Sequence, residues 1–404
     1  MERQRLLDIA GAPDGYVNHE YFRVKRENAI PRPSQVEIDS AKRKGIDPRT
    51  GRDYQPAWLS VLQKREPLPR WLNTLFCDCC GRQFWMTRSQ WLWTLHLICF
   101  VVHTTMAFLT LYESLSKPAD KFEIPVWRFS VEWNNNTATS YGVQVVENGK
   151  PIRFDWLVAV FFGVSAIHHG IIVFLGPWDR FIWAIWRQID LCFSWLVWLE
   201  YMISAPTMVL TVCLLIGIRE ENTLASLFML TVATIFCGFM TELWSKPHRN
   251  ADGTFDFTRW AGELPSVSIA TTQNYEDMQD ARMIRQQNFF HRMIPCVFGL
   301  FLFLSTWIPI IHYFLTSMDD LRERDPDLAE KIPWFVSLVV IGIFLLFLTF
   351  PVNLIYHQWL SPKHYWKTQI WWCVLSLTSK LYLGILIFAN VLRMGSFSEA
   401  VALD

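Results

Sequence analysis

The sequence predicts an all-α membrane protein: a seven-transmembrane-helix bundle with a small β-sheet or hairpin in its first extracellular loop. Three observations carry that expectation. Seven apolar runs, near 89–113, 155–176, 189–217, 223–245, 289–315, 332–356 and 367–392, are each long enough to cross about 30 Å of hydrocarbon as a helix. The chain is 51% hydrophobic with 21 tryptophans, while its charged share, 18%, lies below the roughly 25% of an ordinary soluble domain. Several runs end in Trp, Tyr, Lys or Arg, the residues that favour a membrane interface.

Residues 1–88 read as a cytoplasmic extension. They hold 16 Lys and Arg, as in "AKRKGIDPRTGR", and lack a signal-peptide pattern. A basic flank stays on the cytoplasmic side, so seven spans place the C-terminal tail, 394–404, outside or in a lumen. The loop segments "SPKHYWK" and "SKPHR" then fall inside, and "IREEN" and "MDDLRERDPDLAE" outside. The loop 114–154 carries five Lys and Arg, against that trend, but also the sequon Asn135-Asn136-Thr137, which matters only on an outer face. In the same loop, "TSYGVQVVENGKPIRFDW" alternates around Asn148-Gly149, a strong hairpin signal, and "VWRFSVEW" reads as a further strand. The cytoplasmic loop 246–287 is polar and has no recognisable motif. The membrane domain is read as 89–393.

Nine cysteines form no disulfide framework. Cys99, Cys192, Cys213, Cys237 and Cys373 fall within spans, where a small polarizable side chain packs well, and Cys296 lies early in the fifth. Cys77, Cys79 and Cys80 lie on the reducing side, as surface thiols, acylation sites or metal ligands.

The seventh run, "WWCVLSLTSKLYLGILIFANVL", places Lys380 about 14 residues in, roughly 21 Å along the helix. A lysine at that depth costs about 2.5–3.5 kcal/mol on insertion scales. It either lines a polar cavity beside a buried acid or, as a desolvated nucleophilic amine, condenses with an aldehyde to form a Schiff base. The one mid-span carboxylate, Glu200, lies about 11 residues into the third run, which crosses in the same direction. Asp190 and Glu242 read as helix-end acids, Glu242 within i+4 reach of Lys246, and Glu113 closes the first run at its outer end. Ser376 stands one turn before Lys380, and Ser204 one turn beyond Glu200. Either hydroxyl can serve the buried pair or bond its own backbone.

"WLEYMISA" in the third run and "SLTSK" in the seventh, with an inverted, N-inside topology, resemble the heliorhodopsin family of retinal proteins over residues ~88–393. The resemblance implies that Lys380 carries all-trans retinal, with Glu200 as counterion and Ser376 as Schiff-base neighbour. It also implies that His96 and His169 lie in a polar cavity on the cytoplasmic side as candidate proton acceptors, His169 fitting better than His168. Trp198, Trp307, Pro309, Phe350 and Asn353 are the pocket residues it suggests, with Ser204 nearby. Cys99 and Ile310 depart from the family's pattern. No metal is expected, because no HxxxH-type cluster recurs.

The reading is a non-enzymatic, slow-cycling photosensor in contact with membrane lipid. The resemblance implies a homodimer joined partly through the outer loop, and a cytoplasmic signalling partner is expected, with no nucleic acid. Light-gated proton transport, with Glu113 and Glu242 as pathway groups, is the first alternative. A chromophore-free seven-helix receptor or transporter is the second.

Overall fold

The computed structural model describes residues 65–67, 85–133, 141–176, 189, 192–249, 255–261, 275–326 and 333–392. All of them belong to the unit Val61–Asp404. The Cys77-Asp78-Cys79-Cys80 motif, Asp190, the 135–137 sequon, the C-terminal tail and most of the N-terminal extension lie outside the described residues.

Among the described residues, seven helices are long and apolar enough to cross a membrane. They are α1 (Arg88–Ser116), α2 (Phe154–Leu175), α3 (Trp195–Leu215), α4 (Glu221–Trp244), α5 (Tyr275–Arg324), α6 (Trp334–Trp359) and α7 (Tyr365–Ile387). A π-turn, Phe388–Leu392, continues α7. Each helix packs on the next and α7 returns to α1, which closes the bundle. α3 is its buried centre: 67% of its apolar window is enclosed, against 22% for α1 and 17% for α4. Unpaired polar side chains are costly in hydrocarbon, so the enclosed helix is where they can be kept.

Local signals explain the ends. Thr87 accepts from Gln90 N at 3.2 Å and Gln90 Oε1 accepts from Thr87 N at 2.9 Å, a reciprocal capping box that starts α1. α3 ends in a Schellman turn: Gly217 takes φ +91°, and Ile218 N and Gly217 N donate to Cys213 O and Leu214 O at 2.9 and 3.2 Å. α3 begins at Trp195, six residues later than the apolar run suggests, because Cys192 adopts φ 55° just ahead of it. Apolarity does not report a left-handed residue.

The hairpin expected between the first two spans is present, with a different turn and with two strands rather than three. β3 (Glu123–Trp133) pairs antiparallel with β4 (Tyr141–Arg153), so the connection spans 134–140. Asn148-Gly149 lies within β4, Asn148 opposite Val126, where the register shifts between Ile124 and Val126. Pairing along the eleven residues of β3 outweighs a short local turn, and the Asn-Gly irregularity is absorbed as a bulge opposite Pro125. Trp127 N donates to Arg219 O at 3.1 Å, which fastens the hairpin to the α3–α4 connection. At the foot of α2, Asp155 is fully buried and accepts from Ser114 of α1 and from Arg153, whose Nε lies 3.0 Å away.

At the other end, two short strand pairs appear where no motif was legible: β1 (Arg65–Pro67) with β2 (Trp85–Thr87), and β5 (Pro247–Arg249) with β6 (Phe255–Trp260). Trp260 closes the second pair onto α6 by donating to Leu360 O at 2.8 Å, with Arg292 of α5 5.3 Å from its ring. α5 begins at Tyr275, well before its apolar stretch, so the loop 246–287 is partly helical.

Candidate functional site

The site forms where α3 and α7 face each other. Lys380 Nζ is 2.7 Å from Glu200 Oε1, and the two side chains are 1% and 2% exposed. Lys380 also donates to Ser376 Oγ at 2.6 Å, one turn earlier on α7. Ser165 of α2 donates to the same glutamate oxygen at 2.6 Å, and the ammonium lies 5.2 Å from the Tyr201 ring centroid. Two opposite charges in a low-dielectric interior are tolerable only when paired and hydrogen-bonded, and each here has both.

Beside this pair is a cavity of about 860 Å³, counted out to its mouth, and Lys380 lines it. Its walls are aromatic: Trp198 and Tyr201 of α3, Trp307 of α5, Phe347 and Phe350 of α6, and Trp372 of α7. Ser204 also lines it, and its buried hydroxyl has no hydrogen-bond partner among the described residues. Gly238 of α4 makes room for Trp198, since a Cβ there would lie 2.5 Å from the indole. Pro309 and Asn353 are not among the lining residues. Pro309 is exposed and its neighbour Ile310 is fully buried, so the helix face runs one residue away from the suggested position. Asn353 instead donates to Thr368 O at 3.4 Å, joining α6 to α7.

A second polar group lies on α1 and α2. His96 Nδ1 and His169 Nδ1 are 2.8 Å apart, and both rings are buried. His103 stacks on His169 at 5.3 Å, and the His168 centroid is 4.8 Å from that of His169. Cys373 of α7 brings its sulfur within 3.6 Å of His96 Nε2.

Glu242 is placed differently from the sequence reading. It does not pair with the exposed Lys246; it is fully buried and accepts from Trp198 Nε1 at 2.7 Å, Tyr365 Oη at 3.0 Å, Trp372 Nε1 at 3.4 Å and Ser194 N at 3.4 Å. Four donors from α7 and from the start of α3 outcompete one solvated lysine. Glu113 keeps a local partner, Lys117, at 2.9 Å. Ser165, Tyr201, Trp372 and Tyr365 were not singled out from sequence. For Ser165 a weak signal existed, since it stands one turn before His168 and His169 on α2.

Seven spans, with a lysine of the last ion-paired to a glutamate of the third beside an aromatic cavity, define a seven-helix membrane protein of the rhodopsin kind. The chain belongs to the heliorhodopsin family, whose model matches residues 90–282 and 278–392. It is therefore a rhodopsin-type, light-sensing retinal protein. Among solved structures it is similar to Exiguobacterium sibiricum rhodopsin at 12% identity, over 76% of this chain and 98% of that one, with a TM-score of 0.44. It is similar to a thermophilic rhodopsin from Rubrobacter xylanophilus at 16% identity, over 78% and 99%, with a TM-score of 0.40. No curated protein matches the chain.

The residues present fit retinal. An apolar, aromatic-walled cavity suits a polyene, and the one amine that lines it, Lys380, suits an aldehyde end.

Proposed function

We propose that this chain is a photosensor in which Lys380 carries all-trans retinal as a protonated Schiff base, with Glu200 as counterion. The observation that carries the proposal is the buried Lys380–Glu200 pair, 2.7 Å apart, at the wall of the aromatic cavity. Retinal, when bound, supplies visible absorption and a light-driven isomerisation. The chain's own residues supply the rest. Glu200 balances a cation at the Lys380 nitrogen, and Ser165 and Ser376 fix the carboxylate and the nitrogen by hydrogen bonds. Trp198, Tyr201 and Trp372 restrict the space and exclude water, so that the electrostatics near Nζ are set by these few groups. His96 and His169 are the candidate groups for holding a displaced proton, because each offers a buried ring nitrogen.

Membership of the heliorhodopsin family supports a slow photocycle read by a cytoplasmic partner, and α3 presents Ser204 and Thr211 along its length rather than further carboxylates. The N-terminus is proposed to be cytoplasmic, the β3–β4 hairpin extracellular, and the assembly a homodimer.

The test is a visible spectrum of the purified chain after addition of all-trans retinal, followed by hydroxylamine under illumination. A visible band that bleaches, and that Lys380→Ala never forms, is expected. A folded wild-type chain without a band, or a pigmented Lys380→Ala, overturns the proposal.

A further inference from the structure

We infer that His96, His169 and Cys373 form an intramembrane site for a soft monovalent cation of the copper(I) kind. The three residues come from α1, α2 and α7, and their ligand atoms all lie within 4.8 Å of one another. All three are at most 3% exposed.

The donor set selects the ion. A thiol and two imidazoles are the ligands that soft or borderline d¹⁰ cations prefer over oxygen donors. Charge then decides among those cations. Two neutral imidazoles and one thiolate hold a monovalent cation with no net charge, whereas a divalent ion leaves one uncompensated positive charge in hydrocarbon, which is costly. The thiol proton leaves for bulk solvent on binding, since the ligand is the thiolate. Oxidation state does not change, so no oxidant or reductant is required.

The distances suit the assignment. Cys373 Sγ lies 3.8 Å from His96 Nδ1, close to the sulfur–nitrogen separation of two ligands on one small cation. The two Nδ1 atoms, now at hydrogen-bond separation, need part by only roughly half an ångström. The other ring nitrogen of His169, Nε2, is buried and has no hydrogen-bond partner among the described residues, so its own hydrogen bonding there does not tie the ring to its present position. Cys373, Ser376 and Lys380 follow i, i+3, i+7 along α7, so the cation would stand on the lysine's own helix face.

The test uses the full chain with Cys77, Cys79 and Cys80 changed to serine, so that these thiols do not compete. Copper(I), held anaerobically in a competing chelator, is offered to the protein, and copper uptake and the X-ray absorption of the bound metal are measured. The expected result is one tightly held equivalent with a shell of two nitrogens and one sulfur, weakened about tenfold or more by Cys373→Ser and by His169→Gln. No uptake against the chelator overturns the inference, and so does a sulfur-only shell, which would point to Cys99 with Cys373. Unchanged uptake in Cys373→Ser overturns it too. The absorption measurement on the cysteine-intact site needs no substitution at the ligands, so it decides the matter even if those variants fail to fold.

Discussion

Glu200 and Lys380 meet at 2.7 Å across α3 and α7, with Ser165 and Ser376 supplying one hydrogen bond to each partner. The pair therefore spans three helices, and removing either charge leaves the other buried without compensation. Such a loss costs about 3–5 kcal/mol. Glu200→Gln is expected to lower thermal stability by that order and, once retinal is loaded, to red-shift the visible band or replace it with a near-ultraviolet one. A Glu200→Gln, Lys380→Met double variant, in which neither charge remains, should recover much of the stability. Melting curves of the wild type, Glu200→Gln, Lys380→Met and the double variant, together with spectra of the two chains that retain Lys380, check this. A pigment spectrum unchanged by Glu200→Gln would remove the glutamate from the counterion role.

Trp198 lies against Gly238 and at the same time donates to Glu242 at 2.7 Å. A methyl group at 238 would stand 2.5 Å from the indole, well inside van der Waals contact, so the ring must turn into the cavity or pull away from its acceptor. Gly238→Ala is expected to destabilise the chain by about 1–3 kcal/mol through overpacking and to shift the visible maximum. Gly163 is the control, since nothing lies within 4 Å of a Cβ there. Equal behaviour of Gly238→Ala and Gly163→Ala in absorbance and melting would show that Trp198 is not held as described.

The parts of this site legible in the sequence are those that break a strong local rule. Lys380 and Glu200 stand out because deep charges in apolar helices are costly, and a costly residue needs a reason. Ser165 breaks no rule, since a serine in a membrane helix ordinarily bonds its own backbone, and Ser165 Oγ also lies 2.9 Å from Phe161 O, so that its one proton is shared between that carbonyl and Glu200. Glu242 was misread for a related cause. Its neighbours along the chain suggest Lys246, while the donors that hold it come from the start of α3 and from α7. The His96–His169–Cys373 group is hidden in the same way: each helix contributes residues with no metal spacing of their own. The hairpin was legible through its alternation, but its turn was not, because Asn148-Gly149 is as suitable beside a bulge as in a two-residue turn.

Glu242 collects Trp198, Tyr365, Trp372 and the Ser194 amide around one fully buried carboxyl. A glutamine has one acceptor oxygen, and its NH₂ group points donor against donor at one side of this cage. Glu242→Gln is therefore expected to cost about 1–3 kcal/mol, and Tyr365→Phe, which removes one donor and leaves three, about 1 kcal/mol. The two indoles report directly: tryptophan fluorescence should change in Glu242→Gln more than in Tyr365→Phe. A Glu242→Gln chain with wild-type melting and emission would mean that this carboxyl is not charged in the native protein, and that it donates where it is described as accepting.

The start of α4 carries a pH dependence whose sign can be worked out. Glu220 is the N-cap, accepting from Thr223 N at 2.5 Å and from Asn222 N at 3.1 Å. Partial burial pushes its carboxyl up, but the hydrogen bonds from Thr223 and Asn222 together outweigh that and hold it below the ordinary carboxylate value. A carboxyl lowered on folding contributes stability that is full above its unfolded value and is lost as pH falls through the folded one. Glu220→Ala should thus destabilise by about 0.5–1 kcal/mol near neutral pH, a typical loss for a cap, with the difference vanishing in strong acid. The consequence reaches beyond α4. Trp127 N donates to Arg219 O, next to this cap, so fraying α4 frees one anchor of the β3–β4 hairpin. Hydrogen exchange at Trp127 should accelerate in Glu220→Ala at neutral pH and match wild type in acid once intrinsic rates are corrected. An unchanged Trp127 amide would separate the cap from the hairpin and leave its effect confined to the first turn of α4.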